Sequence, residues 1–493
     1  MRFAELERAK VAIWGYGREG RAVLAALRRR FPDKPLALYC SPAEVAATRN
    51  PSPPNPPLEG EGFQAPAAMR DASGPSASRG GWRAAPGGEG VDFTKLDIRI
   101  EPPDANALCS HDVVIKSPGI SAYKPELLEA QRRGTRFTSD TALWFGENPD
   151  ARVVAVTGTK GKSTTTALIA HLARSLGVRT GLAGNIGLPL LDLDGQRADL
   201  WAIELSSFQT GEAGPVDVGV VVSLAEDHLD WHGTRERYIA DKLKLADVSR
   251  ILLVDAHTPA LMKRTAAHPD RSAFGDADGW HVAEGAIRRG NQKILSLQGL
   301  PLHGAHNARN ACAALAAIEL LGFDARGAVP ALATFRPLPH RLTSLGVRDG
   351  VEWIDDSIST TPDAAQAALE SLPGREVTLI LGGFDRGLDW RPVAGALAAH
   401  PPRAIVTQGA AGPRIAHTLR EANVACAIEE TADLSVAVAR ARGLKASGGV
   451  VLLSPGAPSF DQFRDYAERG RAFARLAGFD GDAIGGIAGL GIS

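Results

Sequence analysis

Residues 151–177 read ARVVAVTGTKGKSTTTALIAHLARSLG, and this stretch decides the fold. ARVVAV is a continuous apolar run, the composition of a strand buried on both faces of a parallel sheet. TGTKGKST follows as a glycine-rich turn, and TTALIAHLARS carries helical apolar spacing. A strand leading through such a turn into a helix converges backbone N–H groups and the positive helix end on one point, where phosphate binds. Gly158, Thr159, Lys160, Gly161, Lys162, Ser163 and Thr164 are therefore the candidate phosphate loop. Lys162 can reach the β/γ-phosphates and the Ser163 hydroxyl can ligate Mg²⁺. The spacing is two residues shorter than GxxxxGK[ST]. The plainer alternative, a turn beside a solvated lysine, does not explain the strand–turn–helix context.

Outward from this stretch the same grammar repeats. Upstream, VAIWG, GYGREG, RAVLAALRRR and PLALYC form one βαβ start, and HDVVIKSPGI is a strand ending in a Ser-Pro-Gly turn. Downstream come LWAIELSS, VGVVVSL and the helix NARNACAALAAIELLG. After FRPLPHR the pattern restarts with VEWIDDS, EVTLILGG, RAIVTQGA and GGVVLLSPGA. The expected architecture is α/β with right-handed crossovers, in three blocks: 1–148, 149–337 and 338–493. Residues 50–91 are rich in Pro, Gly, Ser and Ala and read as a disordered insertion.

Composition narrows the class. Lys+Arg number 55 against Asp+Glu 56, so the net charge of -1 offers nucleic acid no electrostatic handle. No apolar run approaches the ~18 residues of a membrane span, and the N-terminal text lacks a signal core. Cys40, Cys109, Cys312 and Cys426 are scattered, which excludes a cysteine zinc site and fits a reducing cytoplasm.

Other candidate groups lie at strand ends, where open α/β sheets bind ligands. Gly15, Gly17, Arg18, Glu19 and Gly20 fall in a second glycine turn suited to a pyrophosphate. The acid that a nicotinamide dinucleotide site needs after the second strand is missing, since Tyr39-Cys40-Ser41 stands there. Glu204 closes a strand, and the next loop offers Glu226, Asp227, His228 and Asp230, carboxylates that suit phosphate-bound Mg²⁺. Asp356 ends a strand and is either a ribose or Mg²⁺-water acceptor or a helix cap. Arg341 is either a cation over a transferring phosphoryl group or a hinge-surface arginine.

Taken together, VTGTKGKST, GNIGLP (184–189), ELSSFQ (204–209), EDHLD (226–230), GAHNARN (304–310), LPHR (338–341) and SPGAPSFDQF (454–463) resemble the Mur ligase family, and within it the glutamate-adding enzymes. The resemblance implies a Rossmann-like N-terminal domain for a uridine nucleotide, a central P-loop ATPase domain and a Rossmann-like C-terminal domain for the amino acid. It implies that ATP phosphorylates the carboxylate of UDP-N-acetylmuramoyl-L-alanine and that the glutamate amine attacks the acyl phosphate. Ser163 and Glu204 match ligands of one Mg²⁺ and His228 a ligand of a second. Lys242 matches a lysine that is carbamylated in the family and so able to support that second ion. Asn307, Asn310, Arg341 and Asp356 match ATP-site positions. Gly15 to Gly20, Ser117, Asn185 and Ser206 match the uridine-substrate side, and Thr360, Ser459 and Tyr466 the amino-acid side.

Departures from the family pattern fall in the amino-acid pocket. Where the D-glutamate enzymes read D-S-K-A-T-N, this chain has Asp356-Ser357-Ile358-Ser359-Thr360-Thr361. The lysine that pairs with the side-chain carboxylate is Ile358, and Tyr466 replaces phenylalanine. Losing that cation rebuilds the pocket, which points to the L-glutamate branch, whose product a separate epimerase consumes. Ser223 stands where the family commonly has asparagine. The alternatives are the D-glutamate ligase, a folylpolyglutamate synthase-like ligase, a nicotinamide oxidoreductase using GYGREG, and a non-catalytic nucleotide-binding module.

Overall fold

The structure is a computed structural model and describes residues 1–41, 44, 96–224, 229–302 and 304–493. The 50–91 insertion, Glu226, Asp227 and His228 lie outside the described residues, as does the side chain of Asp230.

The first sheet is five-stranded and parallel, in the order β3-β2-β1-β4-β5. Its strands are β1 (Val11–Trp14), β2 (Leu36–Tyr39), β3 (Leu96–Arg99), β4 (Val113–Lys116) and β5 (Arg136–Thr138). This is the order of a doubly wound nucleotide sheet, and its switch point lies between β1 and β4. The Gly15–Gly20 turn and Ser117 sit there, after Trp14 and Lys116. Gly15 adopts φ +93°, and a Cβ on Gly20 would lie 2.1 Å from the Gly15 carbonyl oxygen, so the turn packs as tightly as a pyrophosphate turn does.

The second sheet holds β6 (Val153–Thr157), β7 (Thr180–Gly184), β8 (Leu200–Glu204), β9 (Val216–Val221), β10 (Ser249–Asp255) and β11 (Arg271–Phe274). Its order is β11-β10-β9-β6-β8-β7, all parallel, so the phosphate loop leaves a central strand. Every residue of β6 is buried, as a continuous apolar run requires. The helices Lys162–Ser175 and Ala305–Leu320 pack on this sheet around Leu168, Leu172 and Leu315. A three-stranded antiparallel sheet spans 280–296. Residues 491–492 return from the C-terminal block and pair antiparallel with β7.

The third sheet is led by the antiparallel strand Thr343–Arg348, then Val351–Asp355, Val450–Leu453, Val377–Gly382, Ala404–Gln408 and Ala427–Glu430 in spatial order. Here the Rossmann-like expectation is corrected in detail. The last parallel strand inserts between the first and second, an order that differs from the doubly wound one. The block remains a parallel α/β sheet with its ligand-facing ends at Asp356, Gly383 and Ser454.

Candidate active site

The phosphate loop is held from several sides. Gly161 caps the helix Lys162–Ser175 at φ +86°, a conformation that glycine adopts without strain. A Cβ there would lie 2.6 Å from Asn310 Oδ1, so the loop and the helix Ala305–Leu320 touch at this point. The Lys160 N–H donates to Ser223 Oγ at 2.8 Å, and Ser223 Oγ donates to the Lys160 carbonyl at 2.8 Å. The Ser223 hydroxyl thus clamps the loop. Lys162 Nζ donates to the Thr159 carbonyl at 3.1 Å.

Beside the loop, on the strand paired in parallel with β6, Glu204 ends β8 and is buried. Asn185 Nδ2 donates to its Oε1 at 2.8 Å, while Oε2 is buried without a hydrogen-bond partner. Thr164 Oγ1 is also buried and unpartnered. A buried carboxylate oxygen with nothing to accept is costly unless a cation meets it. A carboxylate oxygen is a donor Mg²⁺ takes, so the orphaned Glu204 Oε2 fits the ion. Lys242 is buried, and its Nζ donates to the Gly158 carbonyl at 2.9 Å and lies 4.9 Å from the Tyr238 ring centre. Among the described residues no cluster of three His, Cys, Asp or Glu forms a metal site, and His228 lies outside them.

A cleft of about 520 Å³ separates the second and third sheets. It is lined by the phosphate loop (Thr159 to Ser163), Asn310, Arg341, Asp356, Ile358 and Thr360. Asp356 accepts from Ser454 Oγ at 2.7 Å and from the Leu342 N–H at 3.2 Å. Burial pushes its carboxyl up to about 7, against the pull of Ser454 and Arg341. Arg341 Nε is buried without a partner, an unmet donor on a residue that lines the cleft together with the Thr159–Ser163 loop. Its neighbour His340 takes φ +60° and hydrogen-bonds Asp355 through Nδ1 at 2.6 Å, which locks the turn that presents Arg341.

Amino-acid-side residues surround Arg469. Its guanidinium is buried, donates to Ser357 Oγ and to the carbonyls of Ser357, Ala457 and Pro458 at 2.7–3.0 Å, and is held down to about 10 by burial. It pins the loop that carries Ile358 and Thr360 to the loop that carries Ser459. Tyr466 is about one-third exposed (36 %). Its partial burial raises the hydroxyl's pKa, and the charges acting on it include Arg18, Arg341 and Glu204, one from each block.

The uridine-side candidates lie outside that cleft. Arg18 Nη1 donates to the Gly187 carbonyl at 3.2 Å, which brings the first turn against the GNIGLP loop that holds Asn185. Ser206 Oγ donates to Gln209 Oε1 at 2.8 Å. Ser117 Oγ is buried, unpartnered, and would lie 2.6 Å from a Cβ on Gly15. Glu44, beyond the second strand, accepts from the Tyr16 N–H at 2.8 Å. An acid thus stands five residues past the strand end, and it occupies a turn N–H.

Sequence reasoning missed Ser454, Arg469, Glu44 and the buried group Ser207, His232 and Asp241. Two carried a signal: Ser454, as the first residue of SPGAPSFDQF at a strand end, and Ser207, inside ELSSFQ.

Comparison with known proteins fits this geometry. The Mur ligase middle domain matches residues 156–318, and the Mur ligase glutamate ligase domain matches residues 340–457. A Xanthomonas campestris pv. campestris protein named UDP-N-acetylmuramoyl-L-alanine–L-glutamate ligase is 44% identical over 512 residues and covers 100% of both chains. A Salinispora tropica protein of the same name is 37% identical over 489 residues, covering 96% of this chain and 98% of its own. Among solved structures, UDP-N-acetylmuramate–alanine ligase from Thermotoga maritima superposes with a TM-score of 0.58 at 18% identity, covering 96% of this chain and 99% of its own, a likeness of fold. The chain belongs to the Mur ligase family.

Proposed function

We propose that the protein is an ATP-dependent ligase that joins the amine of L-glutamate to the carboxylate of UDP-N-acetylmuramoyl-L-alanine, in the building of a peptidoglycan precursor. The full-length match to relatives named for the L-glutamate reaction carries this reading. In the proposed layout the first sheet takes the uridine nucleotide through Gly15–Gly20 and Ser117, with Asn185 and Ser206 reaching it from loops of the second sheet. The second takes ATP, and the third takes glutamate near Thr360, Ser459 and Tyr466. The proposed boundaries fall near residues 148 and 337.

In the reaction, the substrate carboxylate attacks the γ-phosphorus of ATP and ADP leaves. The glutamate amine then attacks the acyl carbon, loses a proton, and phosphate departs with the former carboxylate oxygen. Lys162 and Arg341 place positive charge beside the phosphates, where three anions must approach one another. Asn307 and Asn310 line the nucleotide, and Asp356 accepts from its ribose. Ser163 and Glu204 would hold one Mg²⁺, and His228 with a carbamate on Lys242 would hold a second; the bound ions would supply positive charge that offsets those anions. Addition of CO2 to the deprotonated Lys242 amine, forming an N–C bond and releasing a proton, would turn this buried group into a carboxylate beside the phosphate loop.

The D-glutamate alternative is weakened because Ile358 lines the cleft where a cation would serve that substrate's side chain. The nicotinamide alternative is weakened because Glu44 holds the Tyr16 N–H. Incubation with UDP-N-acetylmuramoyl-L-alanine, ATP, Mg²⁺ and each glutamate enantiomer tests the reading: L-glutamate should give ADP and ligated product. Fast turnover of D-glutamate alone would overturn the stereochemical assignment, and no turnover with either would overturn the ligase assignment. The product would carry the wrong hand for D-glutamate peptides, so a separate epimerase would consume it.

A further inference from the structure

One helix touches both the candidate uridine loop and the phosphate loop. Arg235–Asp247 buries Tyr238, Asp241, Lys242 and Leu245 on one face, the i, i+3, i+4, i+7 pattern. Tyr238 and Lys242 reach the phosphate loop: the hydroxyls of Tyr238 and Thr159 lie 3.0 Å apart, and Lys242 Nζ donates to the Gly158 carbonyl. Asp241, between them on the same face, bonds to the first block instead. Tyr123 OH donates to its two oxygens at 2.7 and 2.8 Å. Tyr123 lies six residues past Ser117, on the loop of the first block.

The contact is built, not incidental. Asp241 Oδ2 lies 2.7 Å from His232 Nδ1, and His232 Nε2 lies 3.0 Å from Ser207 Oγ. Lys244 Nζ also donates to Asp241 Oδ1 at 2.6 Å. His232 is fully buried (0 %), and Ser207 adjoins Ser206 in the ELSSFQ text. Two further bonds bind the same loop to the turn before the helix: Trp231 Nε1 donates to the Pro118 carbonyl at 3.1 Å, and Ser121 Oγ donates to the Trp231 carbonyl at 2.8 Å.

We infer that Asp241 is a positioning residue that sets Lys242 and the phosphate loop against the uridine-substrate loop, through Tyr123 on one side and the Tyr238–Lys242 face on the other. The inference rests on the functional reading above. Filling the loop at Ser117 orders the segment that bears Tyr123, and the shared helix carries that order to Gly158 and Thr159. Binding at each site therefore strengthens binding at the other by the same factor.

The test compares wild type, Tyr123→Phe and Asp241→Asn. It measures the Kd of the Mg²⁺ complex of a non-hydrolysable ATP analogue, alone and with saturating UDP-N-acetylmuramoyl-L-alanine, together with Tm and steady-state kinetics. Wild type should bind the analogue about fivefold tighter or more when the uridine substrate is present, the low end of ordinary coupling. Tyr123→Phe keeps the ring and its contacts. It should leave Tm and the Kd of the analogue alone unchanged, abolish most of the enhancement and lower kcat about tenfold, at an unchanged KM for L-glutamate. Asp241→Asn should do the same more strongly; if it fails to fold, Tyr123→Phe decides. Uridine-substrate binding without enhancement in wild type, or full enhancement retained in Tyr123→Phe, would overturn the inference alone. Absence of any uridine-substrate binding in wild type would overturn the functional reading and this inference with it.

Discussion

Ser223→Ala is the sharpest perturbation of the phosphate loop. The Ser223 hydroxyl makes two bonds to Lys160, one as acceptor and one as donor, each 2.8 Å long. The backbone bond from the Thr159 N–H to the Ser223 carbonyl at 3.2 Å survives the substitution, so the strand–loop junction stays. Each lost bond is worth about 0.5–1.5 kcal/mol net. Ser223 is only half-buried, so the lower part of the range applies, about 1–2 kcal/mol for the pair. At about 1.4 kcal/mol per tenfold, the loop's grip on nucleotide should weaken about 5–30-fold. The assays are Mg·ADP titration calorimetry and the KM for ATP, with circular dichroism to show the fold intact. Ser223→Asn should recover most of the loss, because an amide also carries both a donor and an acceptor. A Ser223→Ala protein whose ADP affinity stays within twofold of wild type would refute the clamp.

Four other outcomes follow from the same contacts. Lys162→Ala should abolish turnover while leaving Tm within a few degrees, since its Nζ bond to the Thr159 carbonyl lies within its own loop; retained turnover would remove Lys162 from the reaction. Asp356 has a folded pKa of about 7, above the usual carboxylate value, because burial penalises its charge. A raised acid pKa makes folding favour the protonated form, so its contribution is full below about 4 and is lost as pH climbs through about 7. Wild-type Tm should therefore fall more steeply than that of Asp356→Asn between those pH values, and parallel curves would contradict this. Arg174 donates to the carbonyls of Thr180, Gly489 and Gly491, so Arg174→Leu should free the 489–493 strand for proteolysis; unchanged protection would contradict its role as the fastener. Ile358→Lys restores a cation in the cleft and should raise the D- to L-glutamate ratio of kcat/KM. No change in that ratio would place chirality reading elsewhere.

What was legible in the sequence was local. The phosphate loop, Glu204 and Asp356 all sit where an apolar run meets turn residues, and the structure places them at strand ends as that pattern requires. The three-stranded sheet was missed although Glu284-Gly285 and Gly290-Asn291 are two-residue turns with φ of +50°, +67° and +56° at their positive positions. Its strands mix Arg and Lys with apolar residues and lack a clean period-2 pattern. The order of the third sheet was illegible for another reason. Inserting the last strand between the first two is decided by packing between residues about a hundred apart, such as Glu352 and Val450, and no short window records it. The same holds at the site. Tyr123 and Asp241 are 118 residues apart, and Ser207 and His232 are 25 apart; each residue alone reads as an ordinary loop or helix position. Arg469 looked like one more helix arginine, and only its burial among four acceptors reveals its work.

The central claim is that the loop at Gly158–Thr164 hands the outer phosphoryl group of ATP to a substrate carboxylate. Isotope transfer tests it most directly. UDP-N-acetylmuramoyl-L-alanine labelled with ¹⁸O in its alanyl carboxylate, ATP, Mg²⁺ and L-glutamate are incubated with the enzyme, and the released phosphate is weighed by mass spectrometry. One ¹⁸O per phosphate is the predicted result, because the oxygen that attacks the γ-phosphorus leaves with it. Unlabelled phosphate alongside formed product would contradict the account.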